Sequence, residues 1–187
     1  MDARTDTLSV ALVRHRAAEA NALTGITVHV ERLPGHVAIS FVARGKVGSL
    51  SLAEPGASRR ADDLWQHTCF EAFMEPAFGS GYREFNLSPS NAWAAYAFSG
   101  YRRGMTEVEG NPVPRLSVKR SSEVIVVEAM LATAFPDQQS LMMGLSAVEE
   151  DLEGRKSYWA LAHMEDGPPD FHHPIGFDLE LFPLEPV

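Results

Sequence analysis

The 187-residue sequence holds a single cysteine, Cys69, so no intrachain disulfide can form. That composition suits a reducing compartment. Long apolar runs are missing as well. Near the N-terminus only the short stretch 9–13 is predominantly apolar, and Arg14, His15 and Arg16 follow it at once. A signal-peptide core needs ~7–15 apolar residues and a membrane span ~20, so neither is expected. The expectation is a cytoplasmic protein with no membrane contact. Basic charge is scarce: Lys and Arg total 16 against 25 Asp and Glu, a formal net charge of −9. Phosphate-backbone affinity comes from clustered cations, so nucleic acid is not an expected partner, and anionic bilayer surfaces are equally disfavoured. The sequence also lacks internal repeats, low-complexity tracts, a GxSxG elbow and a phosphate-cradling glycine loop.

What is present is regular. The length suits one domain over residues 1–187. A domain of that size buries roughly 70% of its unfolded surface and needs no covalent staples. Breakers recur at short intervals, among them Pro34-Gly35, Pro55-Gly56, Gly79, Gly81, Pro89, Gly100, Pro136, Gly154 and Pro168-Pro169. Between them lie runs rich in Val, Ile, Phe and Tyr. They predict strands over 26–33, 37–44, 47–52, 68–75, 82–88, 92–98, 115–119, 123–131, 141–148 and 157–163. Residues 8–23 allow a further short strand or a helical turn, and 132–140 allow a helix weakened by Pro136. No βαβ alternation appears. The predicted fold is all-β: a two-sheet antiparallel β-sandwich, jelly-roll-like, with about five strands per sheet.

The stretch 65–98 carries the chemistry. A short loop with two glycines joins 68–75 to 82–88, which predicts an antiparallel hairpin. If that loop is symmetric, Glu71 lies opposite Asn86 and Phe73 opposite Glu84. A symmetric turn around Ser88 and Asn91 then sets Trp93 opposite Asn86 and Ala95 opposite Glu84. Side chains alternate across a sheet with period two. One face therefore carries Phe70, Ala72, Met74, Phe85, Leu87, Ala94, Tyr96 and Phe98 and is predicted to be the core. The other carries Cys69, Glu71, Phe73, Glu75, Tyr82, Glu84, Asn86, Trp93, Ala95 and Ala97 and is predicted to face solvent. Carboxylates and amides bind paired hydroxyls, rings stack on the apolar face of a pyranose, and alanines leave room for it. The same residues also suit an ordinary solvated sheet face, so both readings stand.

Two motifs, DDLWQHTCFEAFMEP at 62–76 and YREFNLSPSNAWAAYAFSGYRRGM at 82–105, make the chain recognisable. So do GLSAVEE at 144–150, SYWALAH at 157–163 and DFHHP at 170–174. Together they resemble the bacterial DOMON-like proteins, relatives of the family 9 carbohydrate-binding modules. The resemblance implies a two-sheet sandwich and a sugar ligand held between tryptophans, with Glu and Asn on its hydroxyls. Trp65 with Glu71 six residues on looks like one such pair. Asn86 matches the strand asparagine, and Trp159 is a candidate for the second ring. Glu84 departs from the pattern, which has a basic residue there. The implied role is non-catalytic binding of a sugar or sugar-like small molecule. The expected ligand-binding residues are Trp65, Glu71, Glu84, Asn86, Trp93, Trp159 and His163, on a concave and open face.

Other constellations allow other readings. His67, His163, His172, His173 and Cys69 suit a metal, but their spacing matches no tight motif, and DFHHP reads as a loop plug whose histidines bond carbonyls. Some DOMON relatives hold haem on methionine, for which Met74, Met105, Met142, Met143 and Met164 are available. A glycosidase would use two carboxylates ~5–9.5 Å apart, and Glu71, Glu75 and Glu84 are the candidates. Tyr101, Arg102 and Arg103 either cap the ligand face or form a solvated turn. The expectation is no cofactor and no metal.

Overall fold

The computed structural model describes residues 7–108 and 113–185. Its strands, in chain order, are β1 (Leu8–Ala11), β2 (Val13–Arg14), β3 (Leu23–Leu33), β4 (His36–Gly45) and β5 (Arg59–Arg60). They continue with β6 (Cys69–Pro76), β7 (Tyr82–Leu87), β8 (Ala92–Phe98), β9 (Thr106–Glu107) and β10 (Arg115–Arg120). The last are β11 (Val124–Ala132), β12 (Leu141–Glu150), β13 (Lys156–Ala160) and β14 (Leu179–Leu181). They form two sheets packed as a sandwich. The smaller has the order β1-β3-β4-β11-β10. The larger runs β2-β13-β12-β6-β7-β8-β5, with β14 beside β12 and β9 beside β8. Pairing is antiparallel except between β5 and β8.

The smaller sheet follows simple alternation. In β3, β4 and β11 the buried residues alternate, and many are β-branched or aromatic: Val28 and Val30, Ile39 and Phe41, Ile125 and Val127. Such side chains fit a pleated, half-buried surface. Pro34 and Gly35 form the turn between β3 and β4, and Gly35 takes a φ of 67°, where a Cβ would be strained. Across the sandwich, Phe70 and Phe85 from the larger sheet complete the core, and Phe41 meets Phe70 at 5.3 Å between ring centres.

The larger sheet departs from alternation: β6, β8 and β12 are buried on both faces. Its outer face therefore has a cover of its own. A second apolar cluster lies under that cover, made by Phe73, Tyr82, Tyr96, Phe98 and Phe177. Three predicted features are corrected here. The stretch 47–52 is not a strand: Val47–Ser49 form a 3-10 turn, and Leu50 makes only an isolated bridge to Asp151. Residues 132–140 form no helix, because Pro136 sits in a turn closed by Gln139 N–H donating to its carbonyl at 3.1 Å. Phe98, expected between the sheets, lies on the outer face.

That last change is one of register. β6 and β7 pair as expected, Glu71 opposite Asn86 and Phe73 opposite Glu84. β8 is shifted by one residue: Asn86 faces Ala94, and Leu87 faces Trp93. The cause is Asn91, which takes a left-handed φ of 67°. It makes the turn a three-residue connection, closed by Ser88 N–H donating to the Ala92 carbonyl at 2.9 Å. A turn with one more residue than a symmetric pair flips every later side chain to the other face.

Candidate functional site

The floor of the site is built across four neighbouring strands. Ser146 on β12, Glu71 on β6, Asn86 on β7 and Ala94 on β8 stand side by side on the outer face. Ser146 Oγ donates to Glu71 Oε2 at 3.2 Å. Asn86 Nδ2 donates to Glu84 Oε1 at 2.6 Å, a neighbour two residues back on the same strand and face. Cys69 Sγ lies 3.8 Å from Asn86 Oδ1. All of these side chains are buried, Glu71 being 2% exposed and Asn86 wholly enclosed. Among the described residues Glu71 Oε1 finds no hydrogen-bond partner.

Three loop segments wall the floor: 59–67, 100–107 and 161–178. They enclose a cavity of about 970 Å³ into which Glu71 and Glu84 open. Trp65, Tyr96, Phe98, Tyr158 and Phe171 supply its aromatic lining. The first segment is tied down by Tyr96, whose hydroxyl donates to Asp62 at 2.6 Å, and by an Arg60–Asp62 pair at 2.9 Å. The other two lock together through Asp170, which accepts from Arg102 at 2.7 Å and from the Tyr101 hydroxyl. His172 plugs the corner between them. Its Nδ1 is hydrogen-bonded to the Tyr82 hydroxyl at 2.7 Å, and its Nε2 stands 3.8 Å from Glu84 Oε2. Tyr82 is fixed in turn by stacking on Phe98 at 4.7 Å.

Burial sets the charge states. It pushes the Glu71 carboxyl well above the usual carboxylate range, and the nearby Glu84 charge pushes it further. Burial raises Glu84 too, but the Asn86 hydrogen bond and the Arg102 charge oppose it. Glu71 is thus the group that keeps a proton longer. His172 is pushed down to about 4, first by burial and then by Arg102, so it is neutral at pH 7. Its distance to Glu84 exceeds hydrogen-bond range, and a neutral imidazole forms no ion pair. Burial also raises the Cys69 thiol, which stays protonated. Chemically, the floor offers one carboxyl able to donate or accept and one carboxylate that accepts, beneath rings that can stack.

Of the expected site residues, Trp65, Glu71 and Glu84 line the cavity, and Trp65 is 51% exposed at its mouth. Asn86 lies directly beneath, spent on Glu84. The other three are placed elsewhere. Trp93, turned over by the register shift, packs in the inner core. Trp159 is in the same core, with its indole N–H donating to buried Glu149 at 3.0 Å. His163 bonds the Val13 carbonyl at 2.9 Å and packs edge-on against His15. The face expected to be open is covered, and its alanine gap lies at Ala94 rather than at Ala95 and Ala97.

The remaining histidines are spent separately. His67 pairs with Glu150 at 2.7 Å. The histidines of the 170–174 loop bond no carbonyl: His172 holds Tyr82, and His173 caps a 3-10 turn by accepting from Ile175 N–H. Among the described residues no three His, Cys, Asp or Glu stand together as a metal would need. Met74 is packed in the inner core. The residues missed in the sequence are Asp62, Tyr96, Phe98, Tyr158, Phe171 and His172. Two of these, Tyr96 and Phe98, were hidden by register alone. The rest sit on irregular segments or at strand positions without a distinguishing pattern.

No family model and no curated protein matches the chain. Solved structures do. A Bacteroides uniformis protein, described as a candidate carbohydrate-binding protein, aligns over 92% of this chain and 84% of its own, with a TM-score of 0.63 and 11% identity. A family 9 carbohydrate-binding module from Caldicellulosiruptor kristjanssonii, solved with cellotriose, aligns over 81% and 72%, with a TM-score of 0.45 and 15% identity. The same module with glucose aligns over 81% and 74%, with a TM-score of 0.47 and 15% identity. The first likeness establishes a shared β-sandwich fold.

Proposed function

We propose that this chain is a non-catalytic binding domain whose cavity takes a small carbohydrate or sugar-like molecule. One observation carries the reading. A half-open cavity of about 970 Å³ has paired carboxyl groups on its floor and aromatic rings on its walls. A pyranose is two-sided in the same way: hydroxyls project at its rim while its ring faces are apolar. Glu71 and Glu84 meet the hydroxyls, and Trp65 at the mouth, with Tyr96, Tyr158 and Phe171 inside, offers the stacking surfaces. The volume lies within the ~300–1,000 Å³ usual for small-molecule sites. The fold shared with a candidate carbohydrate-binding protein is consistent with it.

The test is a thermal-shift series with mono- and disaccharides, followed by calorimetry. A ligand at a hundredfold excess over its Kd stabilises by about 2.7 kcal/mol. At this chain length that lifts the midpoint by roughly 5–10 °C. The shift should saturate with concentration and disappear in Trp65→Ala. A full panel with no saturable shift would overturn the reading.

A further inference from the structure

The floor is short of donors. Glu71 lines the cavity, and its buried Oε1 has no hydrogen-bond partner among the described residues. His172 Nε2 stands 3.8 Å from Glu84 Oε2, beyond hydrogen-bond range. The cationic side chains that line the cavity are committed elsewhere. Arg102 pairs with Asp170 at 2.7 Å, and Lys156 Nζ donates to the Gln66 carbonyl at 2.5 Å. Two carboxyl groups thus share a buried floor, each with a donor on one oxygen only, from Ser146 and Asn86. A hydroxyl brings one donor and two lone pairs. An ammonium brings three donors, no lone pair and a compensating charge. A buried carboxylate without a partner is costly, and a ligand cation removes that cost on arrival.

We infer that the ligand carries a protonated amine which seats between Glu71 and Glu84, so that the site selects amino sugars over their neutral counterparts. The inference rests on reading the cavity as a sugar site and narrows the class within it. In the bound state the ammonium donates to Glu71 Oε1 and Glu84 Oε2, and the rest of the ring meets the aromatic walls. A like-sized neutral sugar leaves the charge of the carboxyl pair uncompensated. An N-acetyl group replaces the cation by a flat amide with one donor and an added carbonyl, which faces two carboxyl groups.

The preference has a pH signature. Facing the floor are Cys69 on β6, Tyr82 on β7, Tyr158 on β13, and Arg102, Asp170 and His172 from the cover. Cys69, Tyr82 and Tyr158 are raised, Asp170 is lowered and His172 lies near 4. Asp62, Asp63, Tyr96, Glu107 and Lys156 complete the titratable lining. His172 is neutral above about pH 5.5, while burial carries the Glu71 and Glu84 carboxyls upward from the usual carboxylate range. A proton on the floor competes with the ammonium, so amine affinity rises with pH as the floor loses its protons.

The experiment is calorimetry on the full chain with matched pairs: glucosamine against glucose, galactosamine against galactose, and the N-acetyl form of each amine. The expected result is at least tenfold tighter binding of one amine than of its neutral partner, lost on N-acetylation. The ratio should shrink at least threefold from about pH 7 to about pH 5.5, and should collapse in Glu71→Gln and in Glu84→Gln. If Glu71→Gln does not fold, Glu84→Gln and the wild-type pH series decide alone. Equal binding of amine and neutral sugar overturns the inference and leaves the sugar reading standing. Failure of every sugar, charged or neutral, overturns both.

Discussion

The three tryptophans occupy two environments, and only one of them meets the cavity. Trp65 is half exposed on a 3-10 turn at the mouth, whereas Trp93 and Trp159 are enclosed between the sheets. Truncating an enclosed tryptophan leaves a large void, with a cost of about 3–5 kcal/mol. Trp93→Ala and Trp159→Ala should therefore lower the urea midpoint sharply, while Trp65→Ala should stay within about 0.5 kcal/mol of wild type. Reversed costs would mean that Trp93, not Trp65, faces the cavity. Trp159 has a dependent partner in Glu149, a buried carboxyl that also accepts from Leu23 N–H at 2.8 Å. Glu149→Ala would strand both donors at about 1–3 kcal/mol each. Denaturation curves should show the loss in Glu149→Ala without any change in sugar affinity.

The β7–β8 connection shows how one backbone angle decides which side chains reach a site. Asn91 holds a φ of 67°, a region open to Asn and Gly but strained for β-branched residues. Asn91→Val should cost about 1–2 kcal/mol from strain, and more from the lost Asn91 Nδ2 donation to the Gly56 carbonyl at 2.9 Å. Asn91→Gly should lose only the latter. If Val is tolerated as well as Gly in equilibrium unfolding, the turn does not set the register. This residue is also where legibility in the sequence stops. The long strands are readable because β-branched runs alternate between breakers, and β6–β7 is readable because its glycine-bearing loop is symmetric. From residues alone, nothing says that Asn91 turns left, so Trp93 reads as a site residue and Tyr96 as core. The cover is illegible for another reason. Segments 59–67 and 161–178 have no hydrophobic period, and long-range pairs such as Tyr82–His172 and Arg102–Asp170 hold them in place. Burial on both faces of β6 was visible in principle, since Phe70 and Phe73 are apolar residues on opposite faces.

For the protein as a body, the buried floor couples folding to pH. Glu71 has a folded pKa raised above 4.5, so the native state holds its proton where the unfolded chain has released it. Stability then falls as pH rises from the unfolded value through the folded one. His172, lowered to about 4 from 6.5, acts in the opposite sense, adding stability as pH rises between those values. Comparing wild type with Glu71→Gln cancels the histidine contribution. The variant should gain on wild type steadily as pH rises from 4.5, as read from urea midpoints at successive pH values. A constant gap would show that Glu71 titrates normally. The chain's lone thiol offers a further view of the same floor. Cys69 is wholly enclosed, two residues from Glu71 on the same strand and face. It therefore serves as a built-in clock for excursions from the native state: a thiol reagent in solution can label it only during the moments when the floor comes apart. If the ligand sits on Glu71, those moments become rarer by the factor 1 + [L]/Kd, about a hundredfold slower labelling at a hundredfold excess over Kd. An unlabelled native protein would thus report its own occupancy, with no probe added to the site.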